Sequence, residues 1–401
     1  MGFLEISENG HYFVKDGAPF FWLGDTLWPA PCAYSEEEID FYFKRRKEQG
    51  FTVIHIMATW ASFGGDLYAV KKGDSVNNMP MWLNNNPATP DPEYFKSVDM
   101  VVRLAAKYDL LLVILPCGGG GGTFVGYNKI ITAENVRAYA CWLANRYKDE
   151  PHIIWANGFD LQPWLYEDIA QEFAAGIREG GAKQLMSYHA SGGNSSSFFH
   201  NEAWLDMNFI QTWADYNSVS QMVTADYNRR PYKPVVHVEG AYEDGIEYGS
   251  PITSRIVRLQ AYNSILAGGF HTYGHNDMWR KSPYWRDCIE AKGANELTIL
   301  KNFFTSFEWW KLRPNVSLFG SEVWRGPAAA ISEDGSFGIC YCASRMEFTM
   351  HIDCVEGGGP LRAAWIDPAT GKEISRFTVS GKVHSFISPA CCDDALLVLK
   401  R

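Results

Sequence analysis

Two carboxylates in this chain stand where short apolar runs end. Asp160 follows just after the run His152–Asn157, and Glu239 closes the run Lys233–Glu239. Hydrolysis of a glycosidic bond requires such a pair: one carboxyl protonates the departing oxygen and the other meets the oxocarbenium-like centre. Distance then divides the chemistry. Carboxyls about 5–5.5 Å apart act by retention through a glycosyl-enzyme, and carboxyls about 6.5–9.5 Å apart by inversion around a water. The attacking group must be ionised at neutral pH, so it needs polar neighbours; His237 and Tyr242 are close to Glu239 in sequence.

Residues this far apart can meet only if a scaffold brings them together. Eight strand-like runs are present: Phe20–Gly24, Phe51–Met57, Leu110–Pro116, His152–Asn157, Gln184–His189, Met207–Thr212, Lys233–Glu239 and Gly269–Tyr273. Several are nearly continuous in apolar residues, as strands covered on both faces are. Amphipathic segments separate them. Ser35-Glu36-Glu37-Glu38 is a capping box opening a helix that ends at Gly50. Further helical segments run through Tyr94–Lys107, Ala133–Tyr147, Trp164–Glu179, Ser218–Asn228, Ser254–Leu266 and Asn295–Glu308. Eight strands with these seven helices between and after them make the expected fold class α/β, a (β/α)8 TIM barrel. The alternative is a doubly wound open sheet. It wants a glycine-rich turn after its first strand, where this chain has Leu23-Gly24-Asp25-Thr26.

Before the barrel, Asn9-Gly10 and Asp16-Gly17 mark hairpin turns. Beyond it the grammar is all β, with runs at Ser336–Ala343, Glu347–Cys354, Leu361–Ile366, Glu373–Val379 and Ala395–Leu399. The expected division is a catalytic barrel over 1–313 and an antiparallel β-sandwich over 314–401. Only Trp324 and Trp365 offer stacking rings in the second unit, so it is expected to cover an apolar face of the barrel.

Barrel chemistry sits at the C-terminal ends of strands and in the loops after them. That rule selects Asp25, Asn157, Asp160, His189, Gln211, Glu239 and His275 as polar candidates. Asp25, Asn157, His189, Gln211 and His275 are expected partners for sugar hydroxyls. Aromatic residues make up 15% of the chain, with 15 Trp. Eight of them, Trp28, Trp60, Trp82, Trp164, Trp204, Trp213, Trp279 and Trp285, fall after strand ends and predict an aromatic-lined sugar cleft.

Composition excludes other classes. A charged fraction of 20% and a hydrophobic fraction of 46% describe a globular chain with ample core material. The net charge of −10 and the lack of a Lys/Arg run of five or more argue against a nucleic-acid partner. The longest apolar stretch, Leu110–Pro116, is too short to cross a bilayer, so no membrane partner is expected. No export signal is visible, and nine scattered cysteines lack zinc spacing; reduced thiols in a cytoplasmic protein are expected. No cofactor is expected either. Gly118–Gly122 is not followed by the Lys-Ser/Thr of a phosphate loop, and His271 and His275 straddle a strand end rather than sharing a helix face.

Five segments carry a resemblance: PFFWLGDTLW from Pro19, NVRAYACWLANRYKDEPHIIWANGFD from Asn135, MSYHASGGNSSSFFHNEAWLDMNFIQT from Met186, KPVVHVEGAYED from Lys233 and GGFHTYGHNDMW from Gly268. Together they resemble the apiosidase-like glycoside hydrolases, family 140, over nearly the whole chain. The resemblance implies a barrel joined to a C-terminal β-domain often labelled collagen-binding. It also implies a retaining mechanism, with Asp160 as acid/base and Glu239 as nucleophile. Trp28, Trp60, Trp213, Tyr242 and Trp279 join the expected substrate contacts. Where family members read Gly-Gly-Asp, this chain reads Gly158-Phe159-Asp160, and Cys117–Gly126 also departs from the family's loop. Both departures bear on substrate preference. The expected activity is exo-acting release of a terminal apiosyl or related furanosyl unit from a plant glycan or glycoside. An endo-acting glycanase on the same barrel and an inactive carbohydrate-binding protein are the alternatives.

Overall fold

The eight apolar runs are the staves of a closed barrel. The computed structural model describes residues 2–60, 81–116, 130–315, 318, 327–355 and 359–401. Its barrel strands are β1 (Leu23–Thr26), β2 (Val53–Met57), β3 (Leu111–Leu115), β4 (Ile153–Leu161), β5 (Met186–Ala190), β6 (Asn208–Gln211), β7 (Val235–Glu239) and β8 (Phe270–Tyr273). Each of β1, β2, β3, β5, β6, β7 and β8 is buried along its full length, which explains why these runs carry so few solvent-facing residues.

Neighbouring strands pair in parallel from β1 to β5, from β6 to β8, and from β8 back to β1. The remaining seam is closed by side-by-side packing of β5 and β6. Here Asp206 N–H donates to Met186 O at 2.8 Å and the Ser187 hydroxyl donates to Met207 O at 2.8 Å. An open doubly wound sheet is thereby excluded.

Long helices follow seven of the eight strands: Glu36–Glu48, Lys96–Lys107, Ala133–Tyr147, Glu167–Glu179, Val219–Tyr227, Ser254–Leu266 and Lys292–Thr305. The first carries the expected capping box in both directions between Ser35 and Glu38. The β5–β6 connection, for which the sequence offers no helical segment, holds a two-residue strand, Asn194–Ser195, and a 3-10 turn, Ser196–Phe199, in place of a helix. A Gly192-Gly193 pair followed by serines that bond to local backbone favours turns over helix; Ser195 Oγ accepts from Ser197 N–H.

At the barrel's N-terminal end, three short antiparallel strands place Phe13 against Trp22 and Phe270, at centroid distances of 5.3 and 5.5 Å. That plug seals the end away from the candidate carboxylates.

The C-terminal unit has a six-stranded sheet and a two-stranded one pairing Glu347–His351 with Val383–Ile387. Its first strand, Leu312–Pro314, begins within the last residues assigned to the barrel by sequence. Trp365 is buried between the two sheets rather than presented to a ligand. The other face of the larger sheet packs on the barrel: Tyr341 stacks on Tyr262 at 4.6 Å, and Arg258 bonds Asp394 at 2.7 Å while also pairing with Glu296. The antiparallel sandwich read from sequence is present and covers barrel helices. Trp324, Gly118–Gly122 and Cys117–Gly126 lie outside the described residues. No helix among the described residues is long and apolar enough to cross a membrane.

Candidate active site

β4 does not run straight into its loop. Asn157 pairs with Tyr188 and Leu161 pairs with Ala190, so Gly158-Phe159-Asp160 bulges out of the ladder opposite the single residue His189. Gly158 has φ +112°, and a Cβ there would lie 2.5 Å from His189 O, so only glycine fits. Asp160 itself sits in the left-handed region at φ +60°, a conformation that costs a non-glycine residue free energy and that clusters at functional sites. The bulge re-aims the Asp160 carboxyl toward His189.

A second irregularity presents Glu239. Ile210 pairs with His237 but Gln211 pairs with Glu239, leaving Val238 as an extra residue in β7. Thr212 N–H holds Glu239 O at 2.9 Å. Beyond it the Gln260 side chain clamps the Ala241 backbone, accepting from its N–H at 2.8 Å and donating to its O at 3.1 Å. A Cβ at Gly240 would lie 2.1 Å from that Gln260 oxygen, so glycine is required for the clamp.

The two irregular strand ends converge on one imidazole. His189 Nδ1 lies 3.3 Å from Asp160 Oδ1 and His189 Nε2 lies 3.3 Å from Glu239 Oε2. Ligand atoms of the three residues all fall within 4.8 Å of one another, so the carboxyls approach to that distance or less. The Asp160 side chain is 40% exposed and Glu239 is 11% exposed. One carboxyl faces the mouth and the other lies deeper.

Electrostatics distinguish the members. Burial pushes the Glu239 carboxyl up, the Asp160 charge adds to that, and His189 and Tyr242 pull it back. His189 is pushed up to about 10: burial opposes its charge, but the Asp160 and Glu239 carboxylates beside its two ring nitrogens outweigh burial. The barrel's other central histidines behave oppositely. His237 lies 2.9 Å from Thr212 Oγ1 and 3.0 Å from His271, and burial lowers it to about 3. His55 and His271 are likewise driven well below the usual range by burial. Of these four, among the described residues, only His189 has carboxylates for partners.

The expected site residues are distributed unevenly around this trio. Trp28 packs edge-on against His189 at 5.5 Å and donates its indole N–H to Tyr242 Oη at 2.7 Å, so both line the floor beside Glu239. Gln211 is buried with its side-chain oxygen unpaired among the described residues, beside Glu239 in the sheet register. Trp213 is 44% exposed, sits at φ +49° and packs on Tyr248 at 5.4 Å, forming a ledge on the rim. Trp60 and Trp279 lie 6.2 Å apart at the ends of β2 and β8.

Three residues have structural partners. Asp25 is wholly buried, accepting from Tyr42, Arg46 and Thr26 N–H, and has no surface left for a sugar hydroxyl. Asn157 donates to Ala170 O at 2.8 Å. His275 caps the short helix Asn276–Trp279 through Nδ1 and faces Asp244 at 3.3 Å through Nε2.

Nor do all eight tryptophans line a cleft. Trp82, Trp204 and Trp285 are buried, against Tyr139, Phe199 and Tyr34 respectively, while Trp164 is 52% exposed. Sequence reasoning placed Tyr248 nowhere, yet it lies 5.4 Å from Trp213 and 6.5 Å from Tyr242. Its signal was the aromatic spacing Tyr242–Tyr248 in the loop after Glu239.

A (β/α)8 barrel with two carboxyls converging at the ends of β4 and β7 defines a glycoside hydrolase scaffold. Comparison with known proteins agrees. The apiosidase-like catalytic domain family matches residues 7–311, and the chain belongs to that family. A solved glycoside hydrolase is similar over 100% of this chain and 97% of its own, at 25% identity and TM-score 0.84. A family 5 glycoside hydrolase from Bacteroides vulgatus is similar over 100% of this chain and 92% of its own, also at 25% identity and TM-score 0.84. A family 27 β-L-arabinopyranosidase from Geobacillus stearothermophilus shares the fold at 12% identity and TM-score 0.57, covering 95% of this chain and 97% of that one. No functionally curated protein matches the chain in sequence. The protein is a glycosidase acting on carbohydrate.

Proposed function

We propose that the protein is a retaining, exo-acting glycosidase that releases a terminal apiosyl or related furanosyl unit from a plant glycan or glycoside. The approach of the Asp160 and Glu239 oxygens to within 4.8 Å carries the reading. It matches the roughly 5–5.5 Å spacing of retaining pairs and leaves no room for the intervening water of an inverting site. Asp160, exposed toward the mouth, protonates the leaving oxygen. Glu239 attacks the anomeric carbon, and its ionised form is favoured by His189 and Tyr242 against burial and the Asp160 charge. With the glycosyl-enzyme formed, Asp160 takes a proton from water, and that water displaces Glu239.

The exo assignment is supported by the rim. Trp60 after β2 lies 6.2 Å from Trp279 after β8, and Trp213 after β6 lies 5.4 Å from Tyr248 after β7, aromatic pairs suited to bounding a short cleft. The apiosyl preference is supported by membership of the apiosidase-like family. A reducing, cytoplasmic setting is part of the proposal, supported by eight free cysteines among the described residues.

Purified enzyme should hydrolyse nitrophenyl or natural apiosides in preference to arabinofuranosides and pyranosides, and product sizing over time should show only monosaccharide. Oligosaccharide products would replace the exo reading with an endo one. Full activity in both Asp160→Asn and Glu239→Gln would remove the assignment of the pair.

A further inference from the structure

We propose that His189 is a positioning residue that stores the proton which Asp160 delivers, so that the acid/base and the nucleophile are served by one shared proton. The inference rests on the reading of Asp160 as acid/base and Glu239 as nucleophile. Its basis is geometric. The imidazole is buried, lies opposite the Gly158–Asp160 bulge, and has one ring nitrogen 3.3 Å from each carboxylate. Neither nitrogen makes an aligned hydrogen bond to any described group, and Asp160 Oδ1 is likewise without one, so the carboxylates meet the ring at ion-pair distance. Among the described residues, the buried His189 ring has the two reacting carboxylates as its polar neighbours. In the same barrel, His237 and His55 reach the hydroxyls Thr212 Oγ1 and Thr272 Oγ1.

The titratable surroundings fit this role. Facing His189 are Asp160 from β4, Glu239 from β7 and His55 from β2. Tyr242 and Tyr248 face Glu239, and Tyr188 faces Asp160. His55 and the three tyrosines are held neutral by burial at physiological pH, so among these described groups the mobile proton belongs to the trio.

The steps balance. In the free enzyme the proton is on His189, and both carboxylates are anionic. On substrate binding it passes from Nδ1 to Asp160 Oδ1, leaving a neutral imidazole. Asp160 then gives it to the glycosidic oxygen as the C–O bond breaks and Glu239 forms its ester with the anomeric carbon. Water attack breaks that ester and leaves its proton on Asp160, which returns it to His189. The trio regains one proton and two carboxylates.

Two measurements test this. The first needs no substrate: NMR titration of the imidazole nitrogens in the full chain. His189 should stay cationic until about pH 10, and Asp160→Asn should move its titration at least one pH unit lower. An imidazole that titrates near 6.5, or is neutral throughout, would overturn the proposal. The second is the pH dependence of kcat/KM for His189→Gln and His189→Asn on methyl and dinitrophenyl apiofuranosides. The alkaline limb should fall by at least one pH unit. Turnover of the methyl glycoside should drop about 100-fold, with less than about tenfold loss on the dinitrophenyl glycoside, whose leaving group needs no acid. Unmoved limbs with equal losses on both substrates, or a rise in KM alone, would mean that His189 only holds sugar or structure. Such a result alongside inactive Asp160→Asn and Glu239→Gln enzymes would sink this inference and leave the functional reading standing.

Discussion

The barrel holds two carboxylate clusters built on opposite plans. At the end of β1, Asp25 is bound by the Arg46 guanidinium, the Tyr42 hydroxyl and a backbone N–H, and Arg46 is itself satisfied by Gln49 and by Ile289 O. Every charge there has a dedicated partner. Across the barrel mouth, Asp160 and Glu239 share one imidazole at 3.3 Å on either side, and the cluster keeps a net negative charge and unpaired polar atoms. A fully paired cluster holds structure, because nothing is left to react. An underpaired one stores electrostatic free energy that substrate, with its hydroxyls and developing positive charge, can relieve.

Substitutions should separate the two plans. Glu239→Gln should lower kcat by about 10⁴-fold or more, the loss typical of a missing nucleophile, while changing unfolding free energy by less than about 1 kcal/mol. The reverse pattern is expected at Arg46. Arg46→Met leaves Asp25 buried and unpaired, and chemical denaturation should show a loss of about 3–5 kcal/mol. A stable Arg46→Met protein would erase the distinction drawn here.

Asp160→Asn comes next in size. Activity on alkyl glycosides should fall by about 10²–10⁴-fold, and activity on dinitrophenyl glycosides far less in the first step. Smallest is Trp213→Ala. Loss of the rim ledge should cost about tenfold in kcat/KM, equivalent to about 1.4 kcal/mol, with unchanged pH limbs.

The clusters should also differ in their response to pH. His189 has a folded-state value raised to about 10, so its contribution to stability is full below its unfolded value near 6.5 and is lost as pH rises through about 10. Glu239, raised above 4.5, acts in the same direction: its folded form disfavours the charge, and stability falls as pH climbs above 4.5. Thermal unfolding from pH 5 to 10 should therefore show a downward slope that His189→Gln flattens. Equal slopes in both proteins would contradict the shared-proton arrangement.

How much of this was legible beforehand depended on period and on partners. Barrel strands such as Leu111–Leu115 are continuous apolar runs and declare themselves; the strand Ala328–Ser332, rich in alanine, and Val383–Ile387, with its exposed face, do not. The end-of-strand rule found Asp160 and Glu239, but it also selected Asp25, because it cannot see the buried Arg46 one helix later. Likewise, Trp285 and Trp82 follow strands in sequence yet fold back into the core. The bulge at Gly158 was not read from sequence. The consequence, an aspartate re-aimed onto an imidazole that also touches the nucleophile, depends on register between β4 and β5, which no local pattern encodes.

The central claim is that Asp160 and Glu239, brought within 4.8 Å around His189, form a retaining pair. Proton NMR of the first-formed sugar, recorded in D2O before the anomers equilibrate, tests it most directly. The account predicts that the product initially has the same anomeric configuration as the substrate; a product formed first with the opposite configuration would contradict it.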